Sequence, residues 1–273
     1  MSGPAHTAVK HELLVRYLDA WTPAALHRNK KAVFVCWAPA DSAQTALRVF
    51  AEFADILESR TLTMLVPRSI PISELAPTVG VIVSVVDDPP TVPTKGVSIF
   101  GWFDGAYSAS VSTVAAVAGA EVVVATPGPT AELGLPFSCR VELVAASGEV
   151  EQLFFGASTE KSLERFKEEL WALDEYAGIQ FRDPADDEGA LSDISIVARL
   201  GPLRRSLLRH LADGEGATVA ALRAWTLHET VFRAGDANRA VQALLAAGSV
   251  TREPTGGRLS PETVIRLKTR RAA

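Results

Sequence analysis

Four side chains stand where a parallel α/β sheet does its chemistry. Trp37 and Asp41 follow one apolar run, and Trp102 and Asp104 end another. Ligands of such sheets bind outside the carboxyl ends of the strands. There an indole can stack on a purine, and a carboxylate can hold an amine or a ribose. Cys36 lies in the first run as a conceivable nucleophile, but a cysteine inside a buried strand ordinarily serves as a small apolar side chain. Asp87-Asp88-Pro89-Pro90 closes a third run with acceptors able to hold a target amine. Thr91 follows where an aromatic would be needed for stacking, so a Pro-rich turn with solvated carboxylates is the simpler reading. The five histidines, His6, His11, His27, His210 and His228, fall outside the strand-end loops, which leaves no Ser-His-acid set. No CxxC or HxxxH spacing offers a zinc site.

A second constellation lies near the other end of the chain. Arg233, Asn238, Arg239 and Gln242 mark the start and outer face of an expected helix. Arginine reads guanine, and Asn or Gln reads adenine. Arg252, Arg258, Lys268, Arg270 and Arg271 are then placed to meet phosphates. Protein–protein contact is the competing use of such a face, and Asp236 would oppose phosphate there.

These residues need elements to position them. Residues His6 to His27 carry Leu13, Leu14, Tyr17, Leu18 and Trp21 at helical spacing, with Thr22-Pro23 restarting or ending the helix. Ala32–Trp37 is a continuous apolar run, as in strands buried on both faces. After Ala38-Pro39-Ala40, Asp41 or Ser42 can cap a helix reaching about Ser59. Strands are expected at Thr61–Val66, Val79–Val86, Val97–Phe103 and Glu121–Ala125, with helices at Ser108–Ala118 and Glu160–Tyr176. Phe137–Ala146 and Glu151–Phe155 read as a hairpin. About nine residues separate the third and fourth strands, too few for a helical crossover. Either the loop runs straight across the sheet or one strand is misassigned.

Asp183–Gly189 reads as an acidic linker. Beyond it come helices at Leu200–Ala212, Val219–Trp225 and Asp236–Ala247, then strands at Val250–Arg252 and Val264–Leu267. Three helices and a hairpin follow the winged-helix order. From Gly201 onward there are 12 Lys/Arg and 6 Asp/Glu, whereas residues 1–200 hold 15 and 26. An acidic body with a basic tail points to two jobs, and the basic end is the one suited to nucleic acid. Two cysteines, no long apolar run and no signal-like start lead to the expectation of a soluble cytoplasmic protein without a membrane partner.

Several stretches together resemble the three-Cys-motif partner family, TcmP. KHELLVRYLDAW resembles its lysine-bearing first helix, and QLFFGASTEKSLERFKEELWALDEYAG its late strand, turn and long helix. TLHETVFRAGDANRAVQALLAAGSV resembles its winged helix. The resemblance implies a methyltransferase-like Rossmann domain over residues 1–182 and a winged helix over 190–273. It also implies a three-Cys-motif protein as a partner. The departures fall where chemistry would be. VFVCWAP has Cys36 in place of the family's acidic residue, and no glycine lies between Gly3 and Gly80. SIFGWFDGAYSAS has Gly101-Trp102 in place of Asp-Pro.

The expectation is therefore a divergent, catalytically degenerate member with no cofactor and no catalytic residue, acting as a binding module for duplex DNA or a protein. The alternatives are an active S-adenosylmethionine-dependent methyltransferase, using Trp37, Asp41, Trp102 and Asp104 at its cofactor mouth, and an adaptor without nucleic-acid binding.

Overall fold

Alternate side chains of β1 (Lys31–Trp37) enter two different cores, and six of its seven residues are buried. Ala32, Phe34 and Cys36 belong to one, Val33, Val35 and Trp37 to the other. A strand apolar on both faces needs cover on both sides. The computed structural model describes residues 3–105, 108–128, 133–173, 178–186, 188–193 and 198–268. Within them, β2 (Thr61–Pro67), β3 (Val81–Val86), β4 (Ser98–Asp104) and β5 (Glu121–Thr126) run parallel with β1. The hairpin of β6 (Phe137–Ala145) and β7 (Val150–Ala157) joins through β7, antiparallel to β5. β8 (Ile179–Arg182) and β9 (Leu191–Asp193) continue beyond β6. The chain is thus a mixed α/β protein with a nine-stranded central sheet, ordered β3-β2-β1-β4-β5-β7-β6-β8-β9.

One face is covered by α1 (Pro4–Arg28), α2 (Ala40–Ala51) and α5 (Glu160–Trp171), the other by α4 (Ser108–Ala115). The expected stop at Thr22-Pro23 does not occur, and α1 runs through Pro23. An interior proline costs about 3 kcal/mol. Trp21 and Leu26, both buried around it, offset that, since burying one large apolar side chain is worth roughly 1.5–3 kcal/mol. The second helix begins at Pro39 as N-cap, earlier than Asp41 or Ser42. Ser42 is instead buried two residues inside, its hydroxyl 3.2 Å from His11 Nε2. The helix also stops short of Ser59, breaking before α3 (Ala54–Leu57). Between β3 and β4 no helix forms. The loop crosses the sheet face, with Val92 and Val97 packed against the core that α4 covers.

The remaining elements are α6 (Gly201–Ala212), β10 (Ala217–Thr218), α7 (Val219–Glu229), α8 (Ala234–Ala246), β11 (Val250–Glu253) and β12 (Val264–Leu267). The three strands form a separate sheet, β10-β12-β11. One sequence expectation needs correction here. Asp183–Gly189 is not a free linker, because β8 and β9 on its two sides pair within the large sheet. Asp186 is buried against Arg205 and Arg209 of α6 at 3.4 and 3.5 Å. β9 accordingly belongs to the large sheet.

The two units share one apolar core, in which Leu227, Val231 and Phe232 join the α5 side chains. Lys167, fully buried on α5, donates to Leu227 O at 2.5 Å, to Thr230 O and to Phe232 O at 3.1 Å. Trp171 donates to Val231 O at 2.9 Å and stacks on Phe232. Among the described residues no helix is long and apolar enough to cross a membrane.

Candidate functional site

The parallel register decides what stands at the mouth of the sheet. Cys36 aligns with Trp102, and Trp37 with Phe103. Trp37 and Trp102 therefore point to opposite faces, one into each core, and both are fully buried. They do not wall a common pocket. Trp37 packs on Phe103 at 6.3 Å between ring centroids. Neither indole N–H has a hydrogen-bond partner among the described residues. Leaving each buried costs about 1–3 kcal/mol, so packing volume outweighed polar satisfaction at both positions.

Gly101 has a structural reason. A Cβ there would come within 2.5 Å of the Phe103 ring and 3.2 Å of Val114, so the glycine admits packing from within the protein. Asp41 is exposed in the first turn of α2, where a carboxylate favours the helix dipole. At the end of β2, where a ribose-binding carboxylate would fall, Arg68 forms an exposed 2.7 Å ion pair with Asp87. Asp88 accepts a hydrogen bond from Ser110. Both carboxylates of the Asp-Asp-Pro-Pro segment are thus engaged.

Asp104 is brought to a partner that sequence reading did not assign to it. Lys10 of α1, with its side chain 2% exposed, lies 2.8 Å from Asp104 Oδ1 and 2.8 Å from Glu151 Oε1 on β7. The sequence carried a signal for Lys10: it sits three, four and seven residues before Leu13, Leu14 and Tyr17, on the apolar stripe. Glu151 had only strand alternation. The triad closes the carboxyl end of β4 with one ammonium shared between two carboxylates. Nearby, burial and then the Asp104 carboxylate push the Cys36 thiol far up. That suppresses the thiolate a nucleophile needs.

The small unit treats its charges differently. Asp236, 3% exposed in the first turn of α8, lies 3.1 Å from Arg233 Nε and 3.1 Å from Arg239 Nη1. Arg233, at the N-cap, also reaches Glu168 of α5 at 3.4 Å, so it serves the junction between the units. Arg239 is pinned by the carboxylate beneath it and still 43% exposed. Gln242, one turn on, is exposed, while Asn238 is half-buried with Oδ1 lacking a partner among the described residues. Arg252 donates to Pro254 O at 3.1 Å and Gly257 O at 2.6 Å, which shapes the hairpin tip. Arg258 and Lys268 are exposed. Arg270 and Arg271 lie outside the described residues.

No family model, no curated protein and no solved structure matches this chain.

Proposed function

We propose that the chain is a methyltransferase-like scaffold without cofactor chemistry, a divergent relative of the three-Cys-motif partners, which binds duplex DNA through a winged helix. The scaffold reading draws support from five parallel strands whose order reverses between β1 and β4, extended by an antiparallel hairpin. Three helices with β10, β11 and β12 around them support the winged helix, with α8 as the recognition helix.

S-adenosylmethionine does not suit the residues at the mouth. Bulk fills both sides of β1 and β4, no glycine follows β1, and Asp104 is held by Lys10.

The observation that carries the binding reading is the exposed face of α8. There Arg239 is held in place by buried Asp236 beside exposed Gln242. An arginine positioned in advance loses less freedom on contacting a base edge. The experiment is fluorescence anisotropy with duplex DNA over a range of salt. Affinity should fall steeply as salt rises. Arg239→Ala should weaken binding to a preferred sequence by about 1–3 kcal/mol. A flat salt response would reassign the same face to a protein, such as a three-Cys-motif partner.

A further inference from the structure

We infer that the DNA-binding surface does not end with the small unit: α5 of the larger unit supplies phosphate contacts through a basic cleft where α5, α7 and α8 meet. This inference rests on the DNA reading of α8. The cleft has a volume of about 400 Å3 and is lined by Lys161, Glu164, Arg165 and Glu168 of α5, Arg223 of α7, and Arg233 to Gly235 at the start of α8.

Four cations meet two carboxylates there, although residues 1–200 carry a large excess of acid. Glu168 is engaged by Arg233 at 3.4 Å, and Arg165 leans towards Glu121 at 3.8 Å. Lys161 and Arg223 are exposed and form no ion pair with another described residue. Lys161 of α5 and Arg223 of α7, on facing elements, are thus the cations left to meet a polyanion, and a phosphate between them would be attracted to both.

The cleft is continuous with the face already assigned to DNA. Gly235, Arg239, Gln242 and Ala246 are all exposed and follow one another at helical spacing. A single stripe therefore runs from the cleft to the far end of α8. A helix lying in a major groove is flanked by sugar-phosphate backbone, and the strand passing its N-terminal end would enter this cleft. Sequence reading missed Lys161 and Arg165 because they lie some 70 residues before α8 and belong to the other unit.

The test is the salt dependence of full-length protein binding to a random-sequence duplex. Each phosphate contact contributes about 0.9 to the slope of log affinity against log salt. K161A/R223A should therefore lower that slope by roughly 1.8, while K161R/R223K leaves it unchanged. Both residues are exposed, and unchanged thermal unfolding would show that the fold is intact. Wild-type binding with an unaltered slope in K161A/R223A overturns the α5 route and leaves the α8 reading standing. Failure of the wild type to bind duplex DNA at all overturns both.

Discussion

The mouth of the large sheet and the outer face of α8 hold comparable side chains and use them in opposite ways. At the mouth, the buried Lys10 ammonium is shared between the carboxylates of Asp104 and Glu151, and Trp37 and Trp102 fill two cores. On α8, a buried carboxylate is also paired, but with arginines, one of which it presents to solvent. Asp236 holds a charge at the surface, whereas Asp104 consumes one within. A carboxylate at a strand end or helix start is therefore not a site by its type alone. What matters is whether its partner is exhausted or displayed.

The largest expected effect breaks the sealed side of this comparison. Lys10→Met leaves buried Glu151 and half-buried Asp104 without their cation, a change that costs about 3–5 kcal/mol. Urea denaturation should show the loss, and K10M/D104N/E151Q should recover most of it. A Lys10→Met protein as stable as wild type would mean that the triad does not hold the mouth.

Lys167→Met strands the Leu227, Thr230 and Phe232 carbonyls. At about 1–3 kcal/mol for a buried group left unsatisfied, the loss should be roughly 3 kcal/mol. Limited proteolysis should then release the small unit first. Digestion with wild-type kinetics would contradict the shared core.

A smaller effect follows pH. Burial holds the Cys139 thiol at about 11, above its ordinary 9.0, in spite of Lys167 nearby. Cys36 is shifted in the same direction. The folded state then keeps protons that the unfolded state releases. Stability is intact below pH 9.0 and falls as pH rises towards about 11, by about 2 kcal/mol for Cys139. Cys139→Ala should flatten that part of the alkaline limb. An identical limb in the variant would show that the thiol is not protected.

The smallest expected effect is none. Titration of the protein with S-adenosylmethionine should give no saturable heat, and micromolar binding would reopen the mouth.

Much of the large sheet was legible because β1 is apolar at every position but the first, and because β6 of the antiparallel hairpin alternates. The stripe on α8 was legible for the same reason, since Arg239 and Gln242 fall on the polar side of a regular helix. The relation between Trp37 and Trp102 was not. Facing in a parallel pair depends on register, and a one-residue slip exchanges the faces. Nothing local sets that register across the 60 residues between Trp37 and Ser98. The continuation of α1 through Pro23 was hidden because propensity was outweighed by packing on a sheet distant in sequence. β8 and β9, four and three residues long, were hidden by the acidic turn between them. The Lys10 triad joins residues 94 and 141 positions apart, and only the misplaced lysine on an apolar stripe announced it.

Hydrogen exchange of the wild-type protein with and without saturating duplex DNA compares both regions at once. The expected result is slowed exchange over Ala234–Ala246 and the β11–β12 tip, with Lys31–Ser42 unchanged. Protection confined to Lys31–Ser42, with α8 unaffected, would contradict it and return function to the mouth of the sheet.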